Sequence, residues 1–322
     1  MNLTAEISSP ELSIVVPAYN SAGYIGRTVQ ELLRYLDEAG RHGEVIVVDD
    51  GSSDDTQKVA AISTDVQVVR LNRNRGKGAA LRAGMALARG SIRAFTDADL
   101  PYGTRPLSSA VRYINERGFH AVVGDRTLPG STYVPPGRMR GVVSSAASFA
   151  FRTLVTGGIY DTQCGIKVFR GDVAGELFAL TRVDGFAVDV ELIYLLLKYR
   201  MDVKRMPVQL SNNEPSSVRV VRDSLVAARD ILAIRRSWAL GRYSSDYLVA
   251  CLAADIERDT DSSRGAEDVE GSGARAKPSY AVDLSSTVAE QRARLRCDTT
   301  APNDLADAGQ TPSDSRLHNR AG

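Results

Sequence analysis

Apolar and polar positions alternate in blocks along the first two fifths of the chain. Leu12 to Val16 (LSIVV) is a β-branched run that stops at Pro17 and predicts a buried strand. Tyr24 to Leu36 follows, with Ile25, Val29, Leu32, Leu33 and Leu36 at helical spacing. Val45 to Val48 predicts a second strand and Asp49 to Ser53 a turn, with Asp54 or Asp55 placed to cap a helix through Val59 and Ile62. Val66 to Leu71 is the next strand. The glycines of NRNRGKG then predict a loop, and AALRAGMALA a helix ended by Gly90. Ser91 to Thr96 is a fourth strand, Pro106 to Glu116 a helix, and Ala121 to Gly124 a fifth strand. Apolar strands separated by amphipathic helices imply an α/β fold, with a parallel sheet covered on both faces.

Beyond Thr127 the pattern loosens. Ser144 to Gly157 is amphipathic, and Phe186 to Lys198 and Leu225 to Leu240 predict helices. Two roles stay open for Ser144 to Gly157 and Leu225 to Leu240: covering the core, or lying on a lipid surface with their arginines reaching to phosphates. From about Thr260 the chain turns polar, with few aromatics and no sustained period, which predicts disorder.

Composition narrows the picture by exclusion. A formal net charge of +1 argues against nucleic acid as a partner. Three cysteines far apart give neither a disulfide framework nor a zinc spacing, and three scattered histidines argue against a histidine triad. The N-terminus has no apolar core of a signal peptide, and no stretch is long and apolar enough to cross a bilayer. A reducing compartment is expected.

The candidate chemistry lies where the strands end. In open α/β sheets, ligands bind beyond the carboxyl ends of the strands. Asp49–Asp50, the 74–78 loop and Asp97–Asp99 all follow strand ends. The pair in TDADLP is either a solvated turn or a clamp for a hard divalent cation, Mg²⁺ or Mn²⁺, completed by a diphosphate. Asp49–Asp50 forms an Asx turn, meets a nucleotide donor group, or does both with one residue for each. Lys77 and the amides of Gly76–Lys77–Gly78 could meet a phosphate. The run is not a dinucleotide fingerprint, because Leu81 stands where its last glycine belongs, and it is not a P-loop. Arg126, Arg138 and Arg140 are either a solvated basic loop or a phosphate grip. Asp189 and Glu191 either face a helix dipole or supply a base. Cys164 reads as a small buried apolar residue.

As a set, SIVVPAYN (13–20), VIVVDDGSSDDT (45–56), NRGKGAALRAG (74–84) and TDADLP (96–101) resemble glycosyltransferase family 2, inverting nucleotide-sugar enzymes of the GT-A fold. GDR (124–126), DTQCGIKVF (161–169), GFAVDVELIYL (185–195) and MPVQL (206–210) extend the resemblance to the polyprenyl-phosphate branch, most of all dolichyl-phosphate β-glucosyltransferases. It covers roughly residues 11–235. Two departures stand out: Ser21 where many relatives have Glu, and Ser216–Ser217 where relatives often have Ser-Lys.

The resemblance implies a Rossmann-like, mostly parallel sheet with helices on both faces. It implies a GT-A domain over 11–215, after an N-terminal extension at 1–10 and before a helical segment at 216–258 and a tail at 259–322. Pro17, Tyr19, Asn20, Asp50 and Lys77 would line the nucleotide-sugar pocket, and Asp97 and Asp99 would hold Mg²⁺ or Mn²⁺. Arg126, Arg140, Ser144 and Gln163 would grip an acceptor phosphate, with Asp99, Asp189 and Glu191 as catalytic candidates. The implied reaction moves a hexose, glucose from UDP-glucose foremost, to a polyprenyl phosphate at a membrane surface. GDP-mannose, a soluble hydroxyl acceptor and a non-catalytic nucleotide-sugar binding module are the alternatives. The implied place is cytoplasmic, peripheral on the inner face of the membrane.

Overall fold

The computed structural model describes residues 9–132, 161–211 and 220–254, the side chains of 220–228 excepted. Its centre is a seven-stranded sheet in the order β3-β2-β1-β4-β6-β5-β7. β1 (Leu12–Ala18) runs parallel to β2 (Gly43–Asp49) on one side and to β4 (Ile92–Thr96) on the other. β2 pairs parallel with the edge strand β3 (Val66–Arg70). β5 (Ala121–Asp125) pairs parallel with β7 (Val203–Pro207). Among the described strands, β6 (Ile166–Arg170) alone is reversed, antiparallel to both β4 and β5.

The continuous apolar runs follow from burial on both sides. In β1, Ile14 and Val16 point into one hydrophobic cluster and Val15 into the other, as the period-two alternation of a strand requires. The first cluster is closed by α1 (Ile25–Glu38) and α4 (Arg105–Arg117), with α2 (Thr56–Ala60) at its margin. The second is closed by α3 (Lys77–Leu87), α5 (Gly171–Leu180) and α6 (Val188–Lys198). The pattern predicts a parallel sheet with helices on both faces, and the structure keeps the helices but reverses β6, giving the mostly parallel sheet that the family resemblance implies.

Where sequence and structure differ, the cause is long-range. β6, α5 and β7 carry no strong periodic signal. β6 is buried on both faces, and Lys167 takes a buried position beside Phe169. Helix α3 begins at Lys77, earlier than its apolar spacing suggests, because Asp184 O accepts the amides of Gly78 (2.7 Å) and Ala79 (3.2 Å). That cap comes from a segment remote in sequence.

Helix α7 (Val220–Ala239) starts before the expected Leu225. Ile231 and Ile234 are buried, and Trp238 meets Tyr194 and Tyr199 edge to face at 6.1 and 5.7 Å. Arg229, Arg235 and Arg236 are exposed, as is Leu232. One side of this helix thus covers the core, and the other faces solvent. Residues 246–254 are helical as well. The amphipathic stretch 144–157 and the polar tail lie outside the described residues. Among the described residues, no helix is long and apolar enough to cross a membrane.

Candidate active site

Because β1, β2 and β4 run parallel, Tyr19–Asn20, Asp49–Asp50 and Asp97–Asp99 all emerge at one edge of the sheet. Asn20 adopts φ 50°, a left-handed conformation that asparagine tolerates better than most residues. Its Oδ1 accepts the Ser53 amide at 2.9 Å and the Ser53 hydroxyl at 3.1 Å, and its own amide donates to Ser52 Oγ at 2.9 Å. The loops after β1 and β2 are thereby stitched together. Tyr19 stands free of this stitching at 47% exposure, while Pro17 is half-buried.

The two aspartates after β2 divide their work. Asp49 makes the Asx turn: its Oδ1 accepts the Ser52 amide at 2.9 Å, and its Oδ2 accepts Arg70 Nη1 at 3.0 Å. Asp50 turns both oxygens onto the next loop, accepting the amides of Arg75 (2.8 Å) and Gly76 (2.7 Å). Sequence reasoning gave Asp50 to the nucleotide and did not foresee this anchoring role.

The expected 74–78 loop also differs, since it gives way to α3 at Lys77. Its amides do not form an open phosphate cradle, because Asp50 takes those of Arg75 and Gly76 and Asp184 O takes those of Gly78 and Ala79. The glycines here permit a close approach. A Cβ on Gly76, at φ 106°, would lie 2.5 Å from Asp184 O, and one on Gly78 would collide with Val183 O. What the loop offers to the site is the side chain of Lys77.

Lys77 Nζ lies 2.8 Å from Asp97 Oδ1 and 2.9 Å from Asp189 Oδ2. Asp189 Oδ1 accepts from Lys167 Nζ, and that ammonium also donates to Cys164 O at 2.9 Å. Both ammoniums lie over the Phe95 ring, at 5.4 and 5.2 Å from its centroid. The four charges alternate from the fully buried Lys167 out to the partly exposed Asp97. Burial works against the Lys77 ammonium, yet the charges of Asp189 and Asp97 outweigh it and hold its pKa above the ordinary lysine value. Burial likewise opposes the Asp189 carboxylate, and Lys167 and Lys77 overcome it, so its pKa lies below the usual range.

Asp97 and Asp99 sit in one tight turn, in which the Leu100 amide donates to Asp97 O at 3.0 Å and Leu100 takes φ 46°. Gly165 leaves room for the Asp97 carboxylate, since a Cβ there would run into Oδ2. These are two partly exposed carboxylates, hard oxygen donors that suit Mg²⁺ or Mn²⁺. Among the described residues, no group of three or more His, Cys, Asp or Glu could hold a metal ion.

The other expected residues are only partly brought together. Arg126 is bound to Asp161 by a bidentate pair, with Nε to Oδ2 and Nη2 to Oδ1 both at 2.7 Å. Its amide also donates to Asp161 Oδ2 at 2.9 Å. Burial would raise the Asp161 pKa, but the Arg126 bonds prevail and lower it. Gln163 is exposed in the same turn. Cys164 is buried, and desolvation pushes its thiol up to about 11, in keeping with a small apolar role. Arg138, Arg140 and Ser144 lie outside the described residues.

Asp189 and Glu191 part company. Two positions along a helix put them about 200° apart around its axis. Glu191 is fully buried and accepts the amides of Arg182 (2.8 Å) and Val183 (3.0 Å) and the Tyr243 hydroxyl. Desolvation raises its pKa in spite of these bonds. It braces a loop and does not join Asp97. Sequence reasoning missed Lys167, Asp161 and Asp184 as partners. The one available signal was a lysine at an inward position of the strand-like alternation IKVF.

A mostly parallel sheet with one reversed strand and an acidic turn at its carboxyl edge is the architecture of a GT-A glycosyltransferase. The fold is shared with glucosyl-3-phosphoglycerate synthase from Mycobacterium tuberculosis, at 21% identity and a TM-score of 0.51 over 72% of this chain and 80% of that one. It is shared too with mannosyl-3-phosphoglycerate synthase from Rubrobacter xylanophilus, at 22% and 0.53 over 74% and 77%. The chain belongs to glycosyl transferase family 2, whose model matches residues 13–178, and it is a glycosyltransferase. It is similar to the dolichyl-phosphate beta-glucosyltransferases of Drosophila melanogaster (32% identical over 73% of this chain and 77% of that protein) and Homo sapiens (30%, over 72% and 77%).

Proposed function

We propose that this glycosyltransferase moves glucose from UDP-glucose to a polyprenyl phosphate, with inversion at the anomeric carbon. The names of its relatives, which are dolichyl-phosphate beta-glucosyltransferases, support that donor sugar and acceptor. The mycobacterial synthase that shares the fold was crystallised with Mn²⁺ and UDP, which supports a divalent ion and a uridine nucleotide.

The observation that carries the acceptor class is the state of the two inner carboxylates. Asp189 is held between two ammoniums, and Glu191 already accepts two amides and a phenol. Neither is placed to take a proton from an alcohol. A hydroxyl acceptor would need such a base. A phosphate monoester, with its second pKa near about 6, arrives ionised and needs none.

In this reading, Pro17, Tyr19 and Asn20 line the nucleoside pocket. Asp50 shapes it by fixing the 75–76 loop. Asp97 and Asp99 would hold Mg²⁺ or Mn²⁺, which would supply positive charge to the departing diphosphate. Lys77 keeps Asp97 aimed. Arg126, Arg140, Ser144 and Gln163 hold the acceptor phosphate in line with the anomeric carbon. Residues 11–215 form the catalytic unit, which works on the cytoplasmic surface of a membrane that holds the lipid tail.

The test offers UDP-glucose, GDP-mannose and UDP-N-acetylglucosamine separately, with Mg²⁺ and a short polyprenyl phosphate, and scores the lipid product. Glucosyl lipid from UDP-glucose alone is the expected result. Product on a soluble alcohol and none on the polyprenyl phosphate would overturn the acceptor, and mannosyl lipid alone would overturn the donor.

A further inference from the structure

The geometry points to Tyr243 and Glu191 as a positioning pair through which the C-terminal helical segment fixes Lys77 at the active edge. This inference rests on the placement of sugar transfer beside Asp97 proposed above.

Helix α6 grips the start of α3 and the loop before it in two ways. On one face, Asp189 contacts Lys77 directly at 2.9 Å. On another, Glu191 acts through an intermediary, accepting the amides of Arg182 and Val183 at 2.8 and 3.0 Å. The next carbonyls of that strap press on the start of α3. Asp184 O accepts the amides of Gly78 and Ala79, and Val183 O stands where any side chain at position 78 would have to go. Lys77 lies in the middle of this contact.

The far end of the strut is Tyr243, buried just after α7, whose hydroxyl donates to Glu191 Oε1. The backbone around it is tied down as well: Tyr199 OH donates to Tyr243 O at 2.7 Å, and Arg182 Nη2 donates to Arg242 O at 3.2 Å. A buried carboxylate that loses one of its few donors shifts toward its other partners. Here those partners are the amides that set the strap, so the C-terminal segment controls how firmly the strap caps α3. Small displacements of a positioned charge lower turnover without abolishing binding.

The test uses the full chain and compares Tyr243→Phe with Tyr247→Phe. The second is a matched control, because the Tyr247 hydroxyl also leaves the C-terminal segment but donates to Asp172 Oδ2 in α5, away from the strap. Tyr243→Phe is expected to lower kcat about tenfold, with little change in the acceptor KM. It should also speed hydrogen exchange in the peptide that carries Gly78 and Ala79. Tyr247→Phe should do neither. Exchange and turnover unchanged in Tyr243→Phe, or altered equally in both variants, would overturn the pair. Asp97→Asn tests the underlying site separately: full turnover there would remove the site reading, while the exchange comparison would still decide whether the strut exists.

Discussion

Lys77 and Asp97 form an ion pair of 2.8 Å at the carboxyl edge of the sheet, between the loop after β3 and the turn after β4. The pair is asymmetric: Lys77 is almost wholly enclosed, and Asp97 is a third exposed. An enclosed cation beside a reachable carboxylate holds that carboxylate in one orientation before any ligand arrives. Preorganisation of this kind lets charge be met without further rearrangement during reaction.

Loss of that cation should therefore be felt in turnover. We expect Lys77→Met to reduce kcat/KM by roughly 10²-fold or more, the scale of losing one preorganised charge contact. Steady-state rates at saturating donor would check this, with circular dichroism to confirm folding. A folded Lys77→Met protein with native rates would remove Lys77 from the site.

The acidic turn should depend on a divalent ion. Asp99→Ala is expected to stay folded and lose turnover, and excess EDTA should silence the wild type until Mg²⁺ or Mn²⁺ is restored. Mn²⁺ binding followed by electron paramagnetic resonance gives a readout apart from activity. Undiminished Mn²⁺ affinity in Asp99→Ala, or activity in EDTA, would contradict the role.

Lys167 predicts a stability effect. It is fully buried, and its removal would leave Asp189 with Lys77 alone. Lys167→Met should cost roughly 3 kcal/mol, the lower end for breaking a buried pair because one cation remains. Urea unfolding with unchanged slope measures it. A loss no larger than an exposed pair gives, about 0.2–1 kcal/mol, would mean that the relay contributes little to folding.

The Arg126–Asp161 pair should shape the acid limb of stability. Asp161 titrates below its ordinary value of 3.8 in the folded chain. Between the folded and ordinary values the unfolded state binds more protons, so stability rises with pH there. It is fully present above 3.8 and is lost as pH falls through the folded value. Melting temperatures in acid should fall less steeply for Asp161→Asn than for the wild type. Parallel curves would show that the pair has no such effect.

Activity should follow a different pH. Asp189 titrates below the usual carboxylate range, so it adds no acid limb near neutrality. If an acceptor phosphate is the nucleophile, kcat/KM for the acceptor should fall as pH drops through about 6, where the monoester gains its second proton. A flat profile down to pH of about 5 would favour another nucleophile.

Much of this molecule can be read from local pattern, and the limits of that reading are physical. The runs LSIVV and VIVV announced strands because residues buried on both faces must be apolar at every position. The acidic turns could be placed at one edge because parallel strands bring their carboxyl ends together. Helix α3 was recognised but its start was misplaced, since its cap is Asp184 O and not a neighbouring side chain. Asp189 and Glu191 looked alike in sequence, yet one meets two lysines and the other a loop and Tyr243.

The sequence by itself thus determined the parallel half of the sheet, the helices that cover it and the location of the acidic edge, because each depends on periodicity and on turn chemistry within a few residues. Only the tertiary structure decided that β6 runs backwards, that Asp50 holds a loop, and which carboxylate meets which cation. The reason is that a buried charge is defined by its partner. Partners such as Glu191 and Tyr243, 52 positions apart, are chosen by how the whole core closes and not by anything either residue shows alone.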